Sequence, residues 1–287
     1  MRLAVDVFLS QPGFSPMTVR SYRQTLGALL STLDDAGVPS AEQIEAALTL
    51  RWGTAAPATW NRHVATVRSF LAYSERHRLL PVIDVRLDRR REHEDRTRSI
   101  AKPELERIWA LRVPVREKAL WRLLYDTAAR ASEALALDIE DLDLANRCAR
   151  ITGKGAGSQY IYWQTRTARL LPLLIAGRPS GPLFTTARKA RLELAAGDLC
   201  PHTGQARLSY RRAGELFKEH TGRTLHQLRH SALTHLAEDD VALPMLMAVS
   251  RHTSLRSLQR YARPGPDAVA RLSAQRDPER RGRRKAR

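Results

Sequence analysis

Apolar side chains recur at helical spacing over the first eighty residues. Ser15-Pro16 predicts an N-cap followed by proline at the first helical position, and Gly37 predicts the end of that helix. Its apolar stripe consists of Val19, Tyr22, Leu26, Leu29, Leu30 and Leu33. Ser40 and Gln43 form a capping-box pattern for a short helix through Leu48. The apolar stripe of a third helix consists of Trp60, Val64, Val67 and Leu71.

The pattern changes between residues 82 and 99, where large apolar residues almost vanish and arginines alternate with acidic residues. This composition predicts a charged, flexible linker between two domains. The first domain then spans residues 1–81 and is helical.

The second domain, residues 100–275, is predicted to be mostly helical with one β-hairpin. The predicted helices lie near residues 103–111, 116–129, 132–137, 209–219, 225–237, 243–249 and 254–261. The hairpin consists of strands at 148–151 and 160–163 around a glycine-rich turn at 153–157. A basic tail, residues 276–287, follows. The fold class is therefore mainly α with a small β-hairpin, in two domains.

The charge of the chain indicates the kind of partner. Its 287 residues carry 48 Lys and Arg against 30 Asp and Glu, a formal net charge of +18, and 43% of residues are hydrophobic. Such an excess of cations on a chain able to form a core favours a polyanion partner, first of all nucleic acid. On the third helix, Arg62, His63 and Arg68 lie off the apolar stripe. Either a solvated face or a phosphate-binding face explains them.

Several classes of protein are disfavoured. The two cysteines, Cys148 and Cys200, form neither a disulfide framework nor a Cys-x-x-Cys pair. The first residues lack an apolar signal core, and the longest apolar stretch noted, residues 170–177, is too short for a membrane span. We therefore expect a soluble cytoplasmic protein without a membrane partner.

No metal or cofactor is expected either. His226 and His230 have the spacing of a zinc-binding helix, but Gln227 stands where that motif requires glutamate. The acidic segment 138–143 lacks the glycine of a calcium loop, and Gly153-Lys154-Gly155 has the wrong spacing for a nucleotide-binding loop.

A set of cationic residues and one tyrosine remains. In chain order it consists of Arg130, Lys154, His226, Arg229, His252 and Tyr261. Taken singly, each has an ordinary explanation, such as a helix terminus, a turn residue or a partly buried histidine. Together, at these spacings, they resemble the boxes of the tyrosine recombinases, also called the phage integrase family. The resemblance covers nearly the whole chain: a helical core-binding domain, a linker and an integrase-type catalytic domain.

The resemblance implies a role for each residue. Tyr261 is the nucleophile that forms a 3′-phosphotyrosyl link, and Lys154 protonates the departing 5′ oxygen. His226 and His252 donate hydrogen bonds to the phosphate. The chemistry of arginine supports two of these residues independently of the resemblance. Arg130 and Arg229 stay charged and can bind phosphate oxygens in a forked geometry, which suits a phosphate whose negative charge grows in the transition state.

The chain departs from the usual family pattern at three places. Arg251 stands before His252 where the family usually has glycine, and Ala128-Ala129 replaces the usual Gly-Leu before Arg130. No further basic residue follows Lys154 in its turn. Arg251 joins Arg62, His63 and Arg68 as a candidate DNA contact.

The resemblance implies a site-specific DNA recombinase of compact form. Four protomers are expected to bring together two double-stranded DNA sites with paired half-sites and to exchange strands through a Holliday junction. A helix at 266–275 would dock on a neighbouring protomer, and accessory proteins that set direction are further candidate partners. Two alternatives remain open: a topoisomerase-like or junction-resolving enzyme with the same chemistry, and a DNA-binding accessory protein that has lost catalysis.

Overall fold

The computed structural model describes residues 1–33, 37–92, 99–152, 157–190 and 195–251, together with 254 and 258. The chain divides into two compact units, Met1–Glu94 and Asp95–Arg287. The mainly helical fold class with small antiparallel sheets is confirmed. Over the described residues, no helix is both long and apolar enough to cross a membrane.

The first unit contains four helices: α1 (Arg2–Leu9), α2 (Pro16–Leu30), α3 (Ala41–Trp52) and α4 (Pro57–Arg76). The two predicted N-terminal caps are present, whereas α2 ends at Leu30, before the predicted stop at Gly37. Ser15 Oγ accepts a hydrogen bond from the Thr18 amide at 3.1 Å, and Ser40 and Gln43 cap α3 reciprocally at 2.8 and 3.3 Å. Helix α1 was not predicted. It contributes Ala4, Val5, Phe8 and Leu9 to the core.

Aromatic rings hold α1, α2 and α4 together. The Phe8 ring stacks on Tyr22 at 5.5 Å between centroids and meets Phe70 and Tyr73 edge-on at 5.6 and 5.4 Å. Such pairs contribute about 0.5–1.5 kcal/mol beyond the area that they bury. The core of the unit is thus built around one aromatic side chain of the first helix.

Residues 79–92, here called the strap, pack against this unit. Leu80, Val85 and Leu87 are buried in its core. Trp60 Nε1 donates to the carbonyl of Asp88 at 2.9 Å, and the guanidinium carbon of Arg90 lies 4.1 Å from the Trp60 ring centroid. Residues 79–92 are therefore a packed part of the first unit, in contrast to the flexible linker expected from residue 82 onward.

The physical reason is the spacing of apolar residues in the strap. Val85 and Leu87 alternate with charged residues, so an extended chain buries one side and exposes the other. Asn61 then pairs with the strap backbone: its Nδ2 donates to the Arg90 carbonyl and its Oδ1 accepts from the Arg90 amide, both at 2.8 Å. The rest of the predicted linker, residues 93–98, lies outside the described residues.

The second unit contains seven helices within its described residues. They are α5 (Lys102–Ala110), α6 (Val115–Thr127), α7 (Ala131–Leu135), α8 (Thr165–Ile175), α9 (Tyr210–Thr221), α10 (Leu225–Glu238) and α11 (Leu243–Ser250). Helix α6 is central and buries Leu120, Leu123, Leu124 and Trp121, whose ring lies 5.0 Å from that of Phe217. Helix α8 was not predicted.

Two small antiparallel sheets complete the second unit. The first has the order β1 (Leu142–Asp143), β2 (Cys148–Thr152), β3 (Ser158–Tyr162), and the second pairs β4 (Thr185–Lys189) with β5 (Gln205–Arg207). Ala149 and Ile161 are paired in register and buried against the helices. The predicted hairpin is therefore present as β2 and β3, while β1, β4 and β5 are additional.

Arg207 fixes the end of the short helix α7. Its Nη1 donates to the carbonyls of residues 135–137 at 3.3, 3.0 and 3.1 Å. Its Nη2 binds Asp138 Oδ1 at 2.7 Å, and its Nε binds Asp198 Oδ1 at 2.9 Å. One guanidinium thereby satisfies the carbonyls that a helix leaves unpaired at its carboxyl end.

Replacing Leu87 by alanine tests whether the strap belongs to the first unit. We expect Leu87→Ala to destabilise that unit by about 2–3 kcal/mol, because truncating a buried leucine leaves a cavity. Hydrogen exchange of α4 amides, followed by mass spectrometry, measures the loss. Val82→Ala, in the exposed part of the strap, is the control. It should change the free energy of opening, as measured by exchange, by less than about 0.5 kcal/mol. Equal protection in wild type and Leu87→Ala would contradict the assignment.

Candidate active site

Arg130 occupies the N-cap position of α7, directly after the end of α6. Its backbone amide donates to Glu133 Oε2 at 2.8 Å, and its Nη1 donates to Glu133 Oε1 at 2.6 Å. Ala128, two residues earlier, has a left-handed backbone with φ 47°, which ends α6 and turns the chain into α7. Because 48% of the Arg130 side chain is exposed, its guanidinium is accessible to a ligand from solvent.

Arg229, in contrast, is buried on α10, with 3% of the residue exposed. Its Nη2 donates to the carbonyl of Ser250 at 2.7 Å, and its Nη1 donates to the carbonyl of Ala128. These carbonyls lie at the carboxyl ends of α11 and α6, where helix dipoles favour positive charge. Arg229 therefore joins three helices and lies beside the segment that carries Arg130.

His226 lies on α10 one turn before Arg229, and it is exposed. The same helix end is fixed by Thr224, whose amide donates to Gln227 Oε1 at 2.8 Å, and by Arg223, which binds Glu104 through two hydrogen bonds of 2.9 and 3.1 Å. Gln227, the residue that departs from a zinc motif, is thus a capping residue. No group of three or more potential metal ligands occurs in the part of the chain that the structure describes.

Arg251 ends α11 in a left-handed conformation, with φ 56°. Its side chain is 6% exposed and turns inward, where Nη2 lies 3.1 Å from Glu133 Oε2 and Nη1 donates to the Val249 carbonyl at 3.0 Å. The burial does not favour the DNA contact predicted for Arg251. The residue instead meets the same carboxylate as Arg130.

The electrostatics of this cluster favour an ionised Glu133. Burial works to raise the pKa of Glu133, but hydrogen bonds from Arg130 and the positive charges of Arg251 and Arg130 outweigh it and leave the pKa below its ordinary value. Burial lowers the pKa of Arg251, and Glu133 opposes that shift. Glu133 was not among the predicted site residues; its position three residues after Arg130 was the available signal.

Comparison with models of known protein families identifies the family of the chain. The model described as "Phage integrase family" matches residues 99–266, more than half of the chain, and that described as "Phage integrase, N-terminal SAM-like domain" matches residues 6–78. The chain belongs to the phage integrase family. It is a site-specific recombinase of the tyrosine type, an enzyme class that breaks and rejoins DNA.

Curated relatives and solved structures agree with this assignment. The chain is 29% identical to "Tyrosine recombinase XerC" of Mycobacterium bovis over 94% of each chain, and 29% identical to that of Myxococcus xanthus over 72% of this chain and 71% of the relative. The Tn1549 transposon integrase in complex with circular intermediate DNA has the same fold, with a TM-score of 0.69 at 15% identity over 95% of this chain and 98% of the other. The XerH recombinase bound to its difH substrate gives a TM-score of 0.65 at 17% identity over 90% and 79%.

Three predicted catalytic residues of the recombinase, Lys154, His252 and Tyr261, lie outside the described residues. So do the predicted helix at 266–275 and the tail. The strands that flank Lys154 are described: β2 and β3 pair in register as far as Thr152 and Ser158. The structure thus brings Arg130, Arg229 and the backbone around Arg251 together, whereas the positions of Lys154, His252 and Tyr261 stay predictions.

The candidate DNA contacts of the first unit differ among themselves. Arg62 and Arg68 are both exposed; Arg62 Nη2 lies 3.3 Å from His63 Nε2, and Arg68 Nη2 donates to the Leu87 carbonyl at 2.6 Å. His63 is 4% exposed, hydrogen-bonded through Nδ1 to Thr25 Oγ1 at 2.9 Å, and stacked on Trp52 with 4.0 Å between centroids. Burial and the charge of Arg62 lower the pKa of His63. His63 is therefore a core residue of this unit, and its burial does not favour the DNA contact predicted for it.

The two arginines should differ in what their removal does to stability. We expect Arg229→Ala to destabilise the second unit by about 2–4 kcal/mol, because two helix-end carbonyls lose their buried partner. Arg130→Ala should cost less than about 1 kcal/mol, since its ion pair is partly exposed. Hydrogen exchange of α10 amides measures both effects. Equal losses in the two variants would contradict the assigned difference in burial.

Proposed function

We propose that this recombinase cleaves DNA at specific sites through Tyr261 and rejoins it after strand exchange by way of a Holliday junction. The observation that supports this proposal is the convergence of two arginines on one segment. Arg229 binds the carbonyl of Ala128, and Arg130 follows two residues later with its own guanidinium partly exposed. Two fixed positive charges at one place suit an anionic phosphorus centre.

In the proposed reaction, the phenolic oxygen of Tyr261 passes its proton to His226, the candidate base, and attacks the scissile phosphorus. A new O–P bond forms, the bond to the 5′ oxygen breaks, and Lys154 supplies the proton that this leaving oxygen requires. The product is a 3′-phosphotyrosyl link with a free 5′ hydroxyl. Rejoining is the reverse reaction, in which a 5′ hydroxyl of the partner strand attacks the phosphotyrosine, so the bond energy is conserved.

The contacts of the two arginines suit different parts of this task. Arg229 is held rigidly by carbonyls at the ends of α6 and α11, so its charge is in place before the substrate arrives. Arg130 is more accessible and can form a forked contact with non-bridging oxygens. His226, exposed on the same helix as Arg229, and His252 would donate further hydrogen bonds to the phosphate.

We further propose that both units contact double-stranded DNA with paired recognition half-sites. The formal net charge of +18 supplies the electrostatic attraction, and on α4 the exposed Arg62 is the better candidate for a phosphate contact. Arg68, bound to the strap, is the weaker one. Because the proposed substrate is chromosomal DNA, we place the enzyme in the cytoplasm, associated with the nucleoid.

The proposed working assembly is a homotetramer on two DNA sites. A tetramer supplies one active site for each strand that is cut, and residues 266–275 are the segment proposed to dock on a neighbour. Accessory proteins that set the direction of recombination belong to the same proposal. The rival function, an inactive DNA-binding accessory protein, predicts binding without covalent chemistry, which separates the two experimentally.

Covalent trapping tests the chemistry. The protein is incubated with fragmented genomic DNA of its source, quenched with detergent, and the protein-linked DNA ends are sequenced. We expect adducts at discrete sites, their loss in Tyr261→Phe, and their loss in Arg130→Ala with duplex binding largely retained, because other phosphate contacts carry the affinity. Salt-sensitive binding without adducts in wild type would favour the accessory protein instead.

Deleting residues 264–287 tests the proposed assembly. We expect the truncated enzyme to form the covalent adduct on a single trapped site but to lose synapsis of two sites, because the docking segment is gone. Native gel electrophoresis of labelled DNA measures synapsis. Unchanged synapsis and recombination after the deletion would exclude the docking role. DNA relaxation without recombination in the full-length enzyme, unchanged by the deletion, would favour a topoisomerase-like enzyme.

A further inference from the structure

Glu133 is shared by two arginines. Its Oε1 accepts from Arg130 Nη1 at 2.6 Å, and its Oε2 accepts from the Arg130 amide at 2.8 Å and from Arg251 Nη2 at 3.1 Å. The carboxylate is 12% exposed and Arg251 is 6% exposed, so this second ion pair is shielded from water. Arg130 is the only one of the three whose charge is substantially open to solvent.

The backbone of Arg251 is held in a conformation that favours glycine. With φ 56°, its Cβ is crowded in the left-handed region, where glycine has no such penalty. Backbone strain that persists in a folded chain is typical of positions whose side chain has a task. Among the described residues, Arg251 Nε is buried and has no hydrogen-bond partner, so the site is not optimised for stability alone.

The charges explain what a second arginine provides. A phosphate that binds Arg130 draws its guanidinium away from Glu133, and a buried carboxylate without a partner is costly. When Arg130 turns to a phosphate, Arg251 keeps Glu133 paired. Arg130, Arg251 and Glu133 together carry one net positive charge. Arg251 Nη2 also lies 3.4 Å from the Ala128 carbonyl that accepts from Arg229, so the residue lies between both catalytic arginines.

We propose that Arg251 is a positioning residue for Arg130: it holds Glu133 in place at the start of α7 and frees the Arg130 guanidinium to bind the scissile phosphate. Arg251 acts through Glu133 and does not itself touch the DNA. The inference rests on the proposed catalytic role of Arg130 and adds a residue that the family pattern, with its usual glycine, does not supply.

The first arm of the test needs no DNA. The pKa of Glu133 is measured by carbon-detected NMR of the carboxyl-labelled full-length protein in wild type, Arg251→Lys and Arg251→Met. Since the charge of Arg251 lowers this pKa, we expect it to rise in Arg251→Met and to stay low in Arg251→Lys. A Glu133 pKa that is the same in all three proteins would overturn the proposed contact.

The second arm is single-turnover cleavage of a nicked duplex that carries a site recovered by covalent trapping. We expect Arg251→Met to slow cleavage at saturating DNA by about tenfold to a hundredfold and to leave the DNA affinity unchanged. A loss of this size is typical of misplacing a group that orients the substrate. Arg251→Lys should restore most of the rate. Arg251→Gly should be as slow as Arg251→Met, although it removes the backbone strain. Arg211 is an exposed arginine that pairs with Glu215 one turn later on α9; Arg211→Met is the matched control and should cleave at the wild-type rate.

A double-mutant cycle with Glu133→Gln separates positioning from direct contact. If Arg251 acts through Glu133, adding Arg251→Met to Glu133→Gln causes no further loss of rate. A full additional loss in the double variant, or a wild-type rate in Arg251→Met, would overturn the proposal. Failure of the wild-type enzyme to cleave would count against the proposed function alone, since the pKa measurement still tests the link between Arg251 and Glu133.

Discussion

The arrangement of the helices around the site in the second unit depends on the hydrogen bonds of the buried Arg229 guanidinium. The guanidinium reaches carbonyls at the ends of α6 and α11 from within α10, and so it fixes two helix ends that are far apart in the chain. A buried cation needs several acceptors to offset its desolvation, and helix ends supply them at no cost to the helices. The same contacts that stabilise the charge therefore place it.

The rest of the site follows from where those helices end. The left-handed turn at Ala128 closes α6 and starts α7 at Arg130, while Arg207 satisfies the carbonyls at the other end of α7. A helix of five residues has little stability of its own, so these flanking contacts determine its direction. Arg130 is thus positioned by contacts at both ends of a short helix.

Local signals in the sequence predicted the elements whose stabilising contacts are local. Helices α2 and α3 carry their own caps, and both were predicted. Helix α8 was missed because its start is capped from elsewhere: Asp126 Oδ2 accepts from the Gln164 amide at 3.1 Å and from Thr167 Oγ1 at 2.7 Å. A cap from 38 residues away leaves no local pattern.

The same distinction applies to functional residues. The spacing of the boxes predicted Arg130 and Arg229, but it could not show that one is exposed and the other buried. His63 looked like a surface cation in the helical pattern, yet Trp52 of the preceding helix covers it. In the strap, alternation over a few residues was hidden by the high density of charge, and only the packed structure shows which side is buried.

The two departures from the usual glycines of the family meet in space. Ala128 and Arg251 both have a left-handed backbone, and the Arg251 side chain extends toward the Ala128 carbonyl. Substitutions at residues in contact are generally not additive. The two turns are therefore coupled in structure: a change of backbone conformation at 128 would move the carbonyl toward which the Arg251 side chain extends.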